Sequence, residues 1–205
     1  MTWHLGRRAI RSIAAGVLLA SAAAPSFGRQ FRHPTLGYTF TYASPWICDT
    51  KAVRENGSDG PVLRTFPSGE WIHGGIIPPG GAVIFVQASP RHGSAEERRS
   101  NFPAHTDAYA RLYEMAKKEC PTCDISRVRH SDGTVRVDFT ETWEAGAFKE
   151  VWMSQTREGR LVVLMLHYYA DDRRAASYEH DLEGMVSSIF IARAKARGTS
   201  VITGR

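Results

Sequence analysis

The sequence predicts an α/β protein, a three-layer α/β/α sandwich around a mainly antiparallel sheet with a C-terminal meander and helix. Three observations predict it. Runs at 134–143, 147–157 and 160–169 read as consecutive strands joined by tight turns. Amphipathic helical patterns stand on either side of that meander, at 106–119 and 172–189. Alternating or β-branched runs nearer the N-terminus supply further strands. Two helices over one sheet of this kind satisfy a layered sandwich.

The chain begins with a stretch that reads as a leader rather than as fold. Arg7, Arg8 and Arg11 form a positive region, 13–24 is a short apolar run, and Ala22-Ala23-Ala24 and Ser26-Phe27-Gly28 offer small-residue cleavage sites. That order is a secretory signal peptide over 1–28. Its apolar run of 12 residues falls short of the ~20 a spanning helix needs. Arg7-Arg8 also carries a faint twin-arginine pattern, but ordinary secretion fits its surroundings better. The expected location is periplasmic or secreted, with no stable membrane span after cleavage.

Composition narrows the rest. Of 205 residues, 42% are hydrophobic and 23% charged, which excludes collagen-like, polar disordered and multi-span membrane chains. Lys+Arg number 26 against 21 Asp+Glu, but the leader holds three arginines and no acid, leaving 23 against 21. A net +2 with no basic stripe argues against a nucleic-acid partner. The length suits one domain, placed at 29–192, with 193–205 as a flexible tail.

The elements follow in order. Residues 37–42 alternate with period two and form a strand, ended by Ser44-Pro45-Trp46. A polar loop over 49–60 leads to a short strand at 62–66. A Gly/Pro-rich connection over 67–81 holds Trp71 and His73 and leads to an apolar strand at 82–88. In the helix at 106–119, Tyr109, Leu112, Tyr113 and Ala116 fall on one stripe. Residues 124–129 give another strand. In the meander, Ala145-Gly146 and Glu158-Gly159 are read as the turns. Its third strand is apolar on both sides, with Leu161, Val163 and Met165 on one and Val162, Leu164 and Leu166 on the other, so it belongs at the centre of the sheet. In the last helix Tyr178, Leu182, Met185, Val186 and Ile189 share a face that packs on the meander.

Three cysteines remain after the leader: Cys48, Cys120 and Cys123. All three are disulfide candidates in an oxidising compartment. Cys120-Pro121-Thr122-Cys123 is a C-x-x-C motif. It follows a helix rather than opening one, and the negative end of a helix raises a thiol pKa instead of lowering it. A structural bridge is therefore favoured over redox chemistry. No second C-x-x-C or H-x₃₋₅-H completes a zinc site, and the identity of any metal is left open. Common signatures of hydrolases, metalloproteases and nucleotide-binding proteins are absent, and no cofactor is expected.

Two constellations remain as candidate sites. If both meander turns are two-residue hairpins centred on Ala145-Gly146 and Glu158-Gly159, Glu141 pairs with Glu150 and Glu150 with His167. Phe139, Trp152 and Met165 then form the adjacent row. Two carboxylates and a histidine in a line suit cation binding or acid/base work. They also suit a cross-strand ion pair at the solvated end of a sheet, and a register slip dissolves the alignment. The second candidate is the Gly/Pro segment with Trp71 and His73, either a functional loop or a cover over a sheet edge. Trp46, Trp143 and Trp152 are assigned to the core, and His105, His130 and His180 to the surface. Asn56-Gly57-Ser58 is a glycosylation sequon that an Ala-rich, bacterial-looking leader makes irrelevant.

The opening Gly37-Tyr38-Thr39-Phe40-Thr41-Tyr42-Ala43-Ser44-Pro45-Trp46 resembles the start of PsbP-like proteins. The closing order of meander and helix, with Ser187-Ser188 before an apolar pair, is similar too. Their fold is shared with a nuclear import factor that binds the GTPase Ran. The resemblance spans most of 31–191. It implies an accessory or binding protein and carries over no catalytic residue. The Gly/Pro segment 67–81 departs from the family's pattern. The expectation is an exported, non-catalytic accessory or binding protein of the bacterial cell envelope, with a protein or small molecule as partner. The alternative is a thiol-redox enzyme on Cys120 and Cys123, or a metal-assisted one on Glu141, Glu150 and His167.

Overall fold

The computed structural model describes residues 28–34, 36–51, 60–67, 77–89 and 107–191. They form ten strands and two helices. In chain order these are β1 (Arg29–Arg32), β2 (Tyr38–Tyr42), β3 (Ile47–Asp49), β4 (Val62–Arg64), β5 (Ala82–Ala88) and α1 (Ala108–Glu119). Then come β6 (Ser126–Arg129), β7 (Val135–Trp143), β8 (Gly146–Arg157), β9 (Arg160–Tyr169), α2 (Ala175–Ser187) and β10 (Phe190–Ile191). Seven strands make one sheet in the order β3-β4-β5-β9-β8-β7-β6, and three make a second in the order β1-β2-β10. Every pairing among them is antiparallel.

The large sheet is the middle layer. β9 lies at its centre, hydrogen-bonded to β5 and β8, where its two apolar faces require it to be. On one face Leu63, Ile84, Val86, Val151, Leu164 and Leu166 meet Tyr178, Leu182, Met185 and Val186 of α2. The small sheet adds Phe31, Tyr38 and Phe40 to the same core. On the other face Leu112 and Ala116 of α1 pack on Val137, Phe139, Trp152, Val163 and Met165. The α/β/α sandwich thus has a second, three-stranded sheet beside α2. The sequence patterns did not predict it, because strands of four and two residues such as β1 and β10 are too short to show a period.

Polar contacts fix the helices on these layers. Asp107 caps α1 by accepting from the Tyr109 backbone N–H at 3.0 Å. Trp46, 1% exposed, donates its indole N–H to Asp181 of α2 at 2.8 Å. Arg136 on β7 reaches Asp138 on its own strand and Glu179 and Glu183 on α2. Tyr168 on β9 donates to the same Glu179.

The β8–β9 turn is Glu158-Gly159 as expected, with φ of 50° and 69°, the backbone a two-residue hairpin of this twist needs. The β7–β8 turn is not the expected Ala145-Gly146. Trp143 pairs with Gly146, so Glu144 and Ala145 make the turn. Gly146 instead opens β8 with φ of 132°, a backbone conformation that favours glycine. The register between β7 and β8 therefore differs by two residues from the expected one. Every side chain keeps its face, but its cross-strand partner changes.

Residues 1–27 of the expected leader (1–28), the tail (193–205), His105, the sequon, Trp71 and His73 lie outside the described residues. Among the described residues no helix is long and apolar enough to cross a membrane.

Candidate functional site

The large sheet brings together part of the expected Glu141/Glu150/His167 row. Glu150 pairs with His167 across β8 and β9. Glu141 does not join them: it pairs with Phe148, and Phe139 takes the place opposite Glu150. This corrects the expected Glu141–Glu150 pair, and the cause is the turn position set by Gly146. The adjacent row is Val137, Trp152 and Met165 rather than Phe139, Trp152 and Met165. Phe139 still meets Trp152 diagonally, ring centroids 5.2 Å apart.

Glu150 is buried, its side chain 5% exposed. Its Oε1 lies 2.5 Å from His167 Nδ1, and its Oε2 accepts from Trp152 Nε1 at 3.0 Å. The Phe85 ring stands edge-on to the imidazole, 5.1 Å between centroids. His167 Nε2 is buried and has no hydrogen-bond partner among the described residues. The carboxylate thus orients the ring by engaging Nδ1. No group of three or more His, Cys, Asp or Glu side chains that would hold a metal ion occurs among the described residues.

The cysteines separate. Cys120 caps the C-terminus of α1 and is joined to Cys123 in a disulfide, Cα atoms 5.4 Å apart. The turn is closed further by Lys117, which donates to the Cys123 carbonyl at 2.9 Å. Cys48 is free, on β3 at the far edge of the sheet. Burial pushes its thiol pKa up to about 11, against a hydrogen bond from Tyr42 that lowers it. A thiol held neutral in this way is a poor nucleophile.

A feature that the sequence did not single out lies at the β7–β8 end of the sheet. Trp143, assigned to the core from sequence, is 47% exposed, whereas Trp46 and Trp152 are buried at 1% and 4%. Its ring packs on Phe148 (5.4 Å between centroids), and Phe148 packs on Tyr169 (4.4 Å), making an aromatic row across three strands. Tyr169, the last ring of the row, also lines an open cleft of about 840 Å³. Its walls are Pro79 and Gly80 before β5, the Ala145–Ala147 turn, and the Tyr169–Arg174 segment that leads into α2.

The cleft wall is built by local hydrogen bonds. Asp172 accepts from the Arg174 backbone N–H at 2.8 Å. Tyr178 donates to the Gly80 carbonyl at 3.0 Å, tying the segment before β5 to α2. Burial first, then the adjacent Asp172 carboxylate, holds the Tyr178 hydroxyl above the ordinary tyrosine range. The Arg174 guanidinium lies over the Tyr178 ring at 5.4 Å. The sequence signal for this site was slight: a Trp directly before a hairpin turn, and charged residues between a strand and a helix.

No protein-family model matches the chain, and no curated protein sequence matches it. Similar solved structures exist at low identity. One is cyanobacterial PsbP from Synechocystis sp. PCC 6803, with 14% identity and a TM-score of 0.43, covering 83% of this chain and 96% of that one. A second is LpqN, involved in cell envelope biogenesis of Mycobacterium tuberculosis, with 10% identity and a TM-score of 0.45 over 84% of this chain and 88% of that one. A third is a Pseudomonas aeruginosa protein of unknown function, with 12% identity and a TM-score of 0.42 over 82% and 99%.

Proposed function

We propose that this chain is an exported accessory or binding protein of the bacterial cell envelope, without catalysis of its own. It is PsbP-like in its opening strand and its closing meander and helix, folds as one domain over 29–192, and engages its partner at the β7–β8 end of the large sheet. The leader pattern supports export. The observation that carries the binding role is Trp143. A large aromatic side chain left 47% exposed, packed on Phe148 and through it on Tyr169, which lines a cleft, has the anatomy of a recognition surface rather than of a core.

Photo-crosslinking in cells tests this. A benzophenone amino acid in place of Trp143 should capture a discrete partner. The same group in place of Glu114, on the exposed side of α1, should not. Equal capture at both positions, or none at Trp143, overturns the assignment of this surface.

A second reading rests on Glu150 and His167. A buried carboxylate holding Nδ1, with Nε2 unpartnered among the described residues, is the geometry of an oriented acid/base or metal-ligating imidazole. It would make the chain a metal-assisted or acid/base enzyme. The thiol version has less support, because Cys120 sits at the negative end of α1.

A further inference from the structure

We propose that the cleft between Pro79-Gly80, the β7–β8 turn and the 169–174 segment is a binding site for a neutral saccharide. The inference rests on the binding role assigned to this end of the sheet and names the ligand class.

Size comes first. A cleft of about 840 Å³ lies within the ~300–1,000 Å³ of small-ligand sites. Its charge comes second. The wall carries Asp171, Asp172, Arg173 and Arg174, so acids and bases balance. An anion would meet Asp171 and a cation Arg173, so the wall favours neither sign, and a neutral ligand meets no like charge.

The third argument is the division of labour among these residues. Asp172 and Arg174 are committed to structure. Asp172 caps the Arg174 backbone and lies 3.4 Å from the Tyr178 hydroxyl, and Arg174 covers the Tyr178 ring. Asp171 and Arg173 are exposed, and neither makes a side-chain hydrogen bond or ion pair among the described residues. They offer an acceptor-only carboxylate and a planar donor fork two residues apart, a pairing suited to adjacent hydroxyls. Tyr169 supplies an aromatic wall, held by Phe148 behind it. A ligand with one apolar face and a rim of hydroxyls matches this combination. A sugar ring has both.

The test is NMR of the isotopically labelled full chain, titrated with cellotriose, maltotriose and the N-acetylglucosamine trimer. The galacturonic acid trimer and the glucosamine trimer serve as charged controls. At least one neutral sugar should shift the amides of 145–147 and 169–174, and the charged ones should bind more weakly. Tyr169→Ala should weaken binding about tenfold or more, or 1.4 kcal/mol. Because Tyr169 also packs on Phe148, the exposed pair Asp171→Asn with Arg173→Gln provides a variant with an undisturbed core, and it should weaken binding similarly. No cleft shift with any neutral sugar at about 10 mM, a level that would reveal even millimolar affinity, overturns the inference. A response to charged sugars alone, or unchanged affinity in the Asp171/Arg173 variant, overturns it too. Crosslinking from Trp143 without any sugar response removes this ligand class and leaves the binding surface standing. Silence in both experiments removes both.

Discussion

Replacing His167 with leucine should destabilise the protein far more than loss of one surface ion pair. Glu150 stands on a central strand with its side chain 5% exposed, and its two oxygens are engaged by His167 Nδ1 and Trp152 Nε1. His167→Leu leaves the carboxylate buried with one donor. Breaking a buried pair in this way costs ~3–5 kcal/mol. His167 is itself 22% exposed, so water reaches the gap and the expected loss is near the lower bound, about 3 kcal/mol. Glu150→Leu instead strands the Trp152 N–H and the imidazole Nδ1, for a loss of about 2 kcal/mol. The double variant removes the charge entirely and leaves only the indole N–H unmet, so its loss is about 1–2 kcal/mol. The two single losses then exceed the double by about 3 kcal/mol, a coupling expected of residues in one network. Urea unfolding followed by tryptophan fluorescence measures all four corners of the cycle. A His167→Leu loss under about 1 kcal/mol, or additive singles, would refute the view that Glu150 depends on His167 for its burial.

The remaining predictions concern the helix clamp, the cysteines and the leader. Arg136→Met should cost about 2 kcal/mol, because it strands partly buried carboxylates from β7 and α2, and thermal unfolding would read it. Glu179 has its pKa lowered: burial opposes ionisation, but hydrogen bonds from Tyr168 and Arg136 outweigh it. The stability it contributes is therefore present above the ordinary glutamate pKa and is lost as pH falls through the lowered folded value. A stability–pH profile of Arg136→Met should show a shallower acid limb than the parent. Cys120→Ser with Cys123→Ser opens a short loop worth about 2 kcal/mol by chain entropy and should leave crosslinking from Trp143 unchanged. Loss of crosslinking would tie the disulfide to function. Alkylation of Cys48 should keep accelerating with pH up to about 11, measured by mass spectrometry, and a plateau near pH 8 would contradict its buried, protonated state. Intact mass of the exported protein should match a chain starting near Arg29, and an uncleaved leader would overturn the expected processing.

The long elements were legible because their patterns are long. β9 declares a central strand through the consecutive apolar residues 161–166, which supply both faces, and α1 ends within a residue or two of its expected limits. The small sheet was not legible: β10 is two residues, and its pairing with β2 is a contact between residues about 150 positions apart that no local pattern encodes. The Glu150–His167 pairing could be counted from the β8–β9 turn, where Glu158-Gly159 has the expected backbone. Glu141 could not be placed, because Gly146 looked like a turn residue and is instead the first residue of β8, paired with Trp143 at a positive φ. Trp143 was misassigned for a related reason. A tryptophan's average burial says nothing about one at the end of a strand, directly beside a hairpin turn.

The most direct test of the recognition surface is hydroxyl-radical footprinting of Trp143 and Tyr169 in intact cells and in purified protein. Trp143 is open to solvent in the isolated chain, so it should oxidise readily once purified. Occupied by a partner or ligand in the envelope, both rings should be protected in cells, while Tyr109 and Tyr113 on α1 react equally in the two settings. Equal oxidation of Trp143 in cells and in solution would contradict the assignment of this surface as the place where the protein works.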